Sequence, residues 1–558
     1  MLPRILVVMW CGLCCANVAM AQLVMAEEQQ QLALANGGAR GTMRVVPDDA
    51  ELESSHARIG RIDVRVDDVF ESDRQLATPY RLANGLHIST RIATVYAQLL
   101  FRSGDEFSRR VLDETARLLR SQRYLNDATV EPVRYNDDNT VDLEVRVHDV
   151  WTFSPGASFG RKGGQNRSNV EIEDTNLFGL GKQVSLSQSN DFDRTAWHVS
   201  YTDPNVLGSW WRLSGAYANA SDGGEKVLTL ARPFYSLDSR WSFGGAFADA
   251  TTGVTRYSLG RVVDQFKMQR HAFDIGGGIS SGLQEGWTRR YLGGVRYDER
   301  EFSAYAEQPS ASIPDRRTVA YPWIGVEWIQ DEYLKTRNLD QIGRTEDMYL
   351  GRAARIEVGT AGTIFGATRN ALVLSGSLHV GEQFGATQYW VNSLAVQGRV
   401  GDGGIRNGLA ELRSKFYQRQ SPHSVLFASA HAALSSHLDP EDQLALGGDN
   451  GLRGYPLRYQ AGTSRALLTV EERFYSNWQP FKLVNVGAAA FFDAGRTWGR
   501  DTAAPESLGW LRDVGFGLRL GNARSGLGNV LHIDLAFPLD GRSDIDSMQV
   551  LIETRRSF

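Results

Sequence analysis

The chain has 558 residues with 60 Lys+Arg against 65 Asp+Glu, a formal net charge of -5. That length exceeds one ordinary globular core, so at least two structural units are expected. The near-balanced charge lacks the basic excess that phosphate neutralisation needs, which argues against nucleic acid as a partner, and a mean hydropathy of -0.31 is too polar for a bundle of membrane helices.

At the N-terminus Arg4 precedes the apolar run Ile5 to Val8, and small and apolar residues continue to Ala19-Met20-Ala21. This is the pattern of a secretory signal peptide, residues 1–21, with an A-x-A-type site cut before Gln22. The three cysteines, Cys11, Cys14 and Cys15, all fall inside it, so disulfides are not expected to staple the exported chain. Leu13 and Cys14 stand where a lipoprotein signal wants a small residue, which disfavours lipidation at Cys14 or Cys15. No other stretch approaches the roughly 20 apolar residues of a membrane helix. An exported chain of this kind either stays soluble or spans a membrane as a closed barrel, in which every backbone group finds a partner.

Residues 22–57, rich in Gln, Ala, Glu and Gly without sustained periodicity, read as a flexible lead-in. Residues 58–150 read as a small α+β unit. Ile62, Val64 and Val66 alternate with Asp63, Arg65 and Asp67, as in a half-buried strand. Ile92, Val95, Leu99 and Leu100 share one helical face, and Val111, Leu112, Thr115, Leu118 and Leu119 form the stripe of a second helix over 108–123. Two strands, Thr129 to Tyr135 and Val141 to His148, flank the turn residues Asn136-Asp137-Asp138-Asn139.

From residue 151 to 558 helical stripes give way to short alternating segments bounded by Gly, Asn, Asp or Ser. Trp241, Phe243 and Phe247 alternate with Ser242, Gly244, Ala246 and Ala248; Leu372, Leu374 and Leu378 with Val373, Ser375, Ser377 and His379; Leu531, Ile533, Leu535 and Phe537 with His532, Asp534 and Ala536. One row is apolar and often aromatic, the other polar or small, as in a transmembrane antiparallel β-barrel with one face to lipid and one to a wet lumen. A soluble sandwich or propeller also alternates. The barrel is favoured by the absence of a blade-length repeat, the preceding signal, and a terminal strand that places Met548, Val550, Ile552, Thr554, Arg556 and Phe558 on one face. Up to roughly 20 segments can be counted, fewer if those near Arg256 to Gln265 and Asn407 to Ser436 merge, an even number being expected if both ends of the barrel chain face the same side.

Several motifs resemble the BamA/TamA superfamily of outer-membrane assembly and translocation barrels, also called the bacterial surface antigen family. Phe101-Arg102-Ser103-Gly104-Asp105-Glu106-Phe107, Leu118-Leu119-Arg120 and Arg123-Tyr124-Leu125 are similar to a POTRA domain. Asn176-Leu177-Phe178-Gly179-Leu180-Gly181 and Tyr201-Thr202-Asp203-Pro204 resemble early barrel motifs. Leu446-Gly447-Gly448-Asp449-Asn450-Gly451-Leu452-Arg453-Gly454-Tyr455 resembles the family's Arg-Gly-Phe/Tyr loop, here at about 440–464, which folds back into the lumen. Phe491-Phe492-Asp493-Ala494-Gly495 resembles the wall motif that receives it, and Val550, Ile552 and Phe558 resemble the barrel seam and C-terminal assembly signal. The resemblance implies about 16 strands, the norm for such barrels, and more than one POTRA domain, whereas this chain has room for one and more segments.

Arg453 can be argued physically as well. A guanidinium inside a barrel needs acceptors for its donors, and alternation puts Asp493 opposite the row of Val486, Ala488, Ala490 and Phe492, facing the lumen; a bidentate contact would latch the loop to the wall. Gly454 permits a close backbone approach or a positive φ, and Tyr455 completes the motif. The alternative is a solvated loop charge. Gly156-Ala157-Ser158-Phe159-Gly160 matches a nucleophile-elbow string, but Ser158 falls inside the expected first barrel strand rather than at a strand-to-helix turn. The ten histidines show no metal-ligand spacing, and no cofactor is expected. The function implied is non-enzymatic: insertion or translocation of unfolded outer-membrane or secreted polypeptide clients, or of lipid, at a bacterial outer membrane. Outer-membrane lipids and periplasmic chaperones are the expected partners, with the N-terminal unit in the periplasm. That unit could add a client strand to a sheet edge or act as a spacer. The alternative reading is a passive pore or structural barrel with a loop-occluded lumen.

Overall fold

The computed structural model describes residues 46–70, 80, 84–85, 87–305, 312–499, 508–522, 524, 529–540 and 543–555. The expected signal peptide, residues 22–45 of the lead-in and Phe558 lie outside the described residues. The chain divides between Asp149 and Val150.

The first unit contains helix α1 (Asp49–Ser54), strand β1 (Arg58–Asp67), helices α2 (Ile92–Tyr96) and α3 (Arg109–Arg120), and strands β2 (Leu125–Tyr135) and β3 (Thr140–Asp149). The sheet order is β1-β3-β2, with β1 parallel and β2 antiparallel to β3. The period-2 pattern of β3 sends Val141, Leu143, Val145 and Val147 into the core, where Leu112, Ala116 and Leu119 of α3 meet them. Two sequence expectations change here. Part of the lead-in is ordered: Asp48 caps α1 by accepting the Glu51 N–H at 2.8 Å, and Leu52 is buried in the same core. One apolar residue in a single turn is too short a pattern to show periodicity. Helix α2 stops at Tyr96 and leaves Ile92 exposed, while Leu99 joins the core from the turn beyond. The Phe101–Phe107 motif is a turn: Asp105 Oδ2 accepts the Arg102 N–H at 2.7 Å and Gly104 has φ +92°, so both phenylalanines drop into the core. At the end of β3 the buried Asp149 carboxylate takes the Thr90 N–H at 2.7 Å and its hydroxyl at 2.6 Å, with His87 Nε2 at 3.0 Å.

The second unit is a closed antiparallel barrel of twenty strands among the described residues, from β4 (Phe153–Lys162) to Gln549–Arg555. The number agrees with the segment count and exceeds the about 16 strands that the family resemblance implies. Trp241, Phe243, Phe247, Leu372, Leu374 and Leu378 are exposed, while His532 and Asp534 are buried in the opposite row. A ring that is apolar outside and polar inside is matched to a bilayer. Strand direction alternates around the ring, so connections fall on two rims. Segment 331–351, between Arg317–Gln330 and Arg352–Ala361, starts from the rim at which β4 begins; segment 437–463, between Ser424–Ser436 and Ser464–Tyr475, starts from the opposite rim.

For the first unit, Leu112→Ala removes a side chain with no solvent exposure and is expected to cost about 2–5 kcal/mol. Hydrogen exchange of the β1–β3 amides should speed up accordingly while the barrel amides stay protected.

Candidate functional site

Segment 437–463 is an inward hairpin. Its base is the strand pair Leu444–Leu446 with Gln460–Gly462, and its tip carries Leu452, Arg453, Tyr455 and Tyr459, all buried. Asn450 tightens the tip, accepting the Gly447 N–H at 2.7 Å and donating to Ala445 O at 2.7 Å.

The structure brings Arg453 and Asp493 together. Arg453 Nε donates to Asp493 Oδ2 at 2.7 Å and Nη2 to Asp493 Oδ1 at 3.0 Å, a two-pronged contact. Nη1 donates to Glu471 Oε1 at 2.8 Å and lies 3.6 Å from Asp534 Oδ2. The guanidinium carbon sits 3.3 Å from the Phe491 ring centroid, adding a cation–π attraction on the face that has no hydrogen-bond donor. Thr469 Oγ1 donates to Asp493 Oδ1 at 2.8 Å and holds the acceptor in place. Phe491 and Asp493 share the lumenal row of Val484–Trp498 because they are two residues apart.

Gly454 is required by close approach and not by a positive φ: a Cβ there would come 2.7 Å from Asp513 Cβ and 3.0 Å from Pro538 N. Tyr455 Oη donates to Arg512 O at 2.9 Å and accepts the Arg512 N–H at 3.2 Å. The loop is thereby stitched to strand Leu511–Asn522 as well as to Val484–Trp498.

Sequence reasoning missed a second anchor of opposite polarity. Asp439 and Glu441, on the arm leading into the hairpin, are gripped by wall arginines. Arg399 Nη2 lies 2.5 and 2.7 Å from the Asp439 oxygens, Arg300 Nη1 lies 2.5 Å from Glu441 Oε1, and Arg317 bonds to Glu441 and reaches Asp439 at 3.2 Å. The returning arm adds Arg458, paired with Asp193 at 2.8 Å and lying over the Tyr257 ring. The only signal for this anchor was arginines in the polar rows, which is unspecific without knowing where the loop goes.

The seam residues Val550 and Ile552 pair with Leu535 and Ile533 on one side. On the other side, strand Gln549–Arg555 meets β4 in register at one pair among the described residues, Ile552 opposite Arg161. By contrast β4 runs in register with Gln165–Leu177 from Phe153↔Asp174 to Lys162↔Gln165. The seam is reinforced by Lys162 Nζ at 2.5 Å from Glu553 Oε2. Ser158 lies within β4, opposite Asn169, with no strand-to-helix turn around it. His379 and His532 lie in lumenal rows, His379 stacked on Tyr349.

Removing one partner of a buried ion pair leaves the other uncompensated, at about 3–5 kcal/mol. Arg453→Ala is therefore expected to free the hairpin tip, so that added protease cuts between 447 and 459 in a barrel that still shows folded electrophoretic mobility. Arg453→Lys, which keeps the charge but not the fork, should fall between. A tip as resistant in Arg453→Ala as in the parent would mean that the pair does not hold the loop.

No family model and no curated protein matches the chain. Among solved structures it is similar to CdiB from Escherichia coli, at 14% identity and TM-score 0.47 over 89% of this chain and 76% of that one. It is also similar to CdiB from Acinetobacter baumannii, at 13% identity and TM-score 0.43 over 89% and 73%. BamA from Haemophilus ducreyi lacking POTRA domains 1–3 matches at 13% identity and TM-score 0.38 over 88% and 85%.

Proposed function

We propose that this chain is an outer-membrane assembly or translocation barrel whose seam opens to accept a polypeptide strand, and whose lumen is held closed at rest by the Arg453 latch. The observation that carries the reading is the contrast in pairing around the ring. Every other neighbouring pair of barrel strands is joined by an extended register, whereas β4 and Gln549–Arg555 share one pair among the described residues. An edge with unused N–H and C=O groups recruits another strand, and Pro155 within β4 has no N–H to give to a ladder. The motifs around Arg453 and Asp493 and the small α+β unit support the same class. The unit at the N-terminus then sits in the periplasm, where the outer edge of β2, or of β1 beyond the stretch that pairs with 104–107, can take a strand from a client or a chaperone. No chemistry of bond making is assigned to any residue; the work is binding, templating and release.

The competing reading is a passive or structural barrel, favoured by how completely the hairpin tip is packed. A disulfide between Arg161→Cys and Ile552→Cys separates the two. Sealing the seam is expected to abolish rescue of outer-membrane protein levels in a deletion strain, with recovery on reduction. Full rescue by the oxidised variant would refute the opening seam and favour the passive barrel.

A further inference from the structure

Segment 331–351 is not a rim turn. It forms its own strand pair, Tyr333–Arg337 with Thr345–Tyr349, and the connection between them enters the lumen. There Leu339 and Ile342 pack among the lumenal residues Tyr417, Phe427, Tyr475 and Ala489. Those residues lie on strands Gly404–Ser421, Ser424–Ser436, Ser464–Tyr475 and Val484–Trp498, so the tip reaches across the barrel from its own strands. The tip is held by polar contacts: Asn485 Nδ2 donates to Ile342 O at 2.6 Å, Tyr475 Oη to Leu339 O at 3.1 Å, and Tyr417 Oη to Asp340 at 3.0 Å. Glu346 fixes the tip internally by accepting the N–H groups of Leu339 and Asp340, each at 2.9 Å.

Among the described residues two hairpins, one from each rim, thus enter the lumen, and one wall residue links them. Arg473 Nη1 donates to Leu339 O at 2.7 Å and lies 3.5 Å from Asp340 Oδ1, while its Nε donates to Glu471 Oε2 at 3.0 Å. The other oxygen of Glu471 accepts from Arg453. Arg473 also lies over the Phe427 ring at 3.6 Å. Arg453, Glu471, Arg473 and Asp340 therefore alternate in sign from one hairpin to the other, through two buried wall residues.

We propose that the 331–351 hairpin is a second plug, and that Glu471 and Arg473 couple it to the 437–463 hairpin so that release of either loosens the other. If Asp340 leaves, Arg473 loses one of its acids and draws Glu471 toward it and away from Arg453. If Arg453 leaves, Glu471 turns more toward Arg473, and the hold on Leu339 and Asp340 weakens. The coupling concerns the lumen alone and holds whichever client the barrel handles.

Reciprocal labelling tests it. In the exported protein reconstituted in lipid vesicles, whose cysteines left with the signal peptide, Leu452→Cys reports on one hairpin and Ile342→Cys on the other. A water-soluble maleimide is the probe, and heat-modifiable mobility on gels is the check of folding. Asp340→Asn is expected to speed labelling at 452, and Arg453→Gln to speed labelling at 342, each about tenfold, as reciprocity of coupling requires. In an Arg473→Gln background these cross effects should vanish. Asn485→Ala perturbs the 331–351 tip from a separate strand and serves if Asp340→Asn does not fold. Perturbations that speed labelling only on their own hairpin would overturn the coupling, and cross effects that survive Arg473→Gln would overturn the route through Arg473.

Discussion

A charge removed from water must be matched on all sides, and that requirement organises the interior of this barrel. An unpaired buried guanidinium or carboxylate costs several kcal/mol, and the ions that run between the two hairpins alternate in sign. Arg453 stands between Asp493 and Glu471, Glu471 between Arg453 and Arg473, and Arg473 between Glu471 and Asp340. No member can move without leaving another exposed to the low-dielectric interior. The loop, the wall and the opposite hairpin are for this reason one cooperative assembly rather than three packed pieces.

The two anchors of the 437–463 segment have inverted polarity. At the tip a loop arginine enters an acidic wall, and at the arm two loop acids enter a basic wall formed by Arg300, Arg317 and Arg399. A segment that carries both signs can dock in one register only, since a shift would set like charges together. Hydrophobic packing of Leu452 and Tyr455 would supply affinity without that register. The ions set position while the apolar residues and the two-way Tyr455–Arg512 contact hold the tip down.

Much of this was legible from residue order, and the limits have physical causes. The period-2 rows gave the barrel and the segment count because lipid outside and water inside impose opposite demands on adjacent residues. The Arg453–Asp493 pairing was readable from the resemblance of the loop and wall motifs to the family's, with alternation placing Asp493 in the lumen; spacing alone left a solvated loop charge equally open. Asp439 and Glu441 were not readable, since an acid in a loop is ordinarily solvated and its burial depends on where the loop travels. Hairpin 331–351 was hidden for a related reason. Tyr333–Arg337 and Thr345–Tyr349 alternate like any barrel strands, and only length, five residues each, separates them from strands that cross a bilayer. Helix α1 was hidden in a stretch whose composition reads as linker. The seam between the first and last strands was read from the family resemblance, because pairing between them is a property of closure and not of either strand.

Strand number and the two inserted hairpins are linked by geometry. Barrel diameter grows roughly linearly with the number of strands: at about eight the wall side chains fill the interior, and at about 16 to 18 they leave an aqueous channel. A ring of twenty strands therefore cannot be closed by its own side chains, and an open ring of that width would leak across the membrane. One hairpin anchored at a single rim would leave the opposite half of the lumen unfilled. Hairpins from both rims, meeting on a shared pair of wall charges at Glu471 and Arg473, fill the space from both directions. The wide ring and the two inserted hairpins are thus two sides of one constraint, since the interior that the wall side chains leave open is occupied by segments of the same chain.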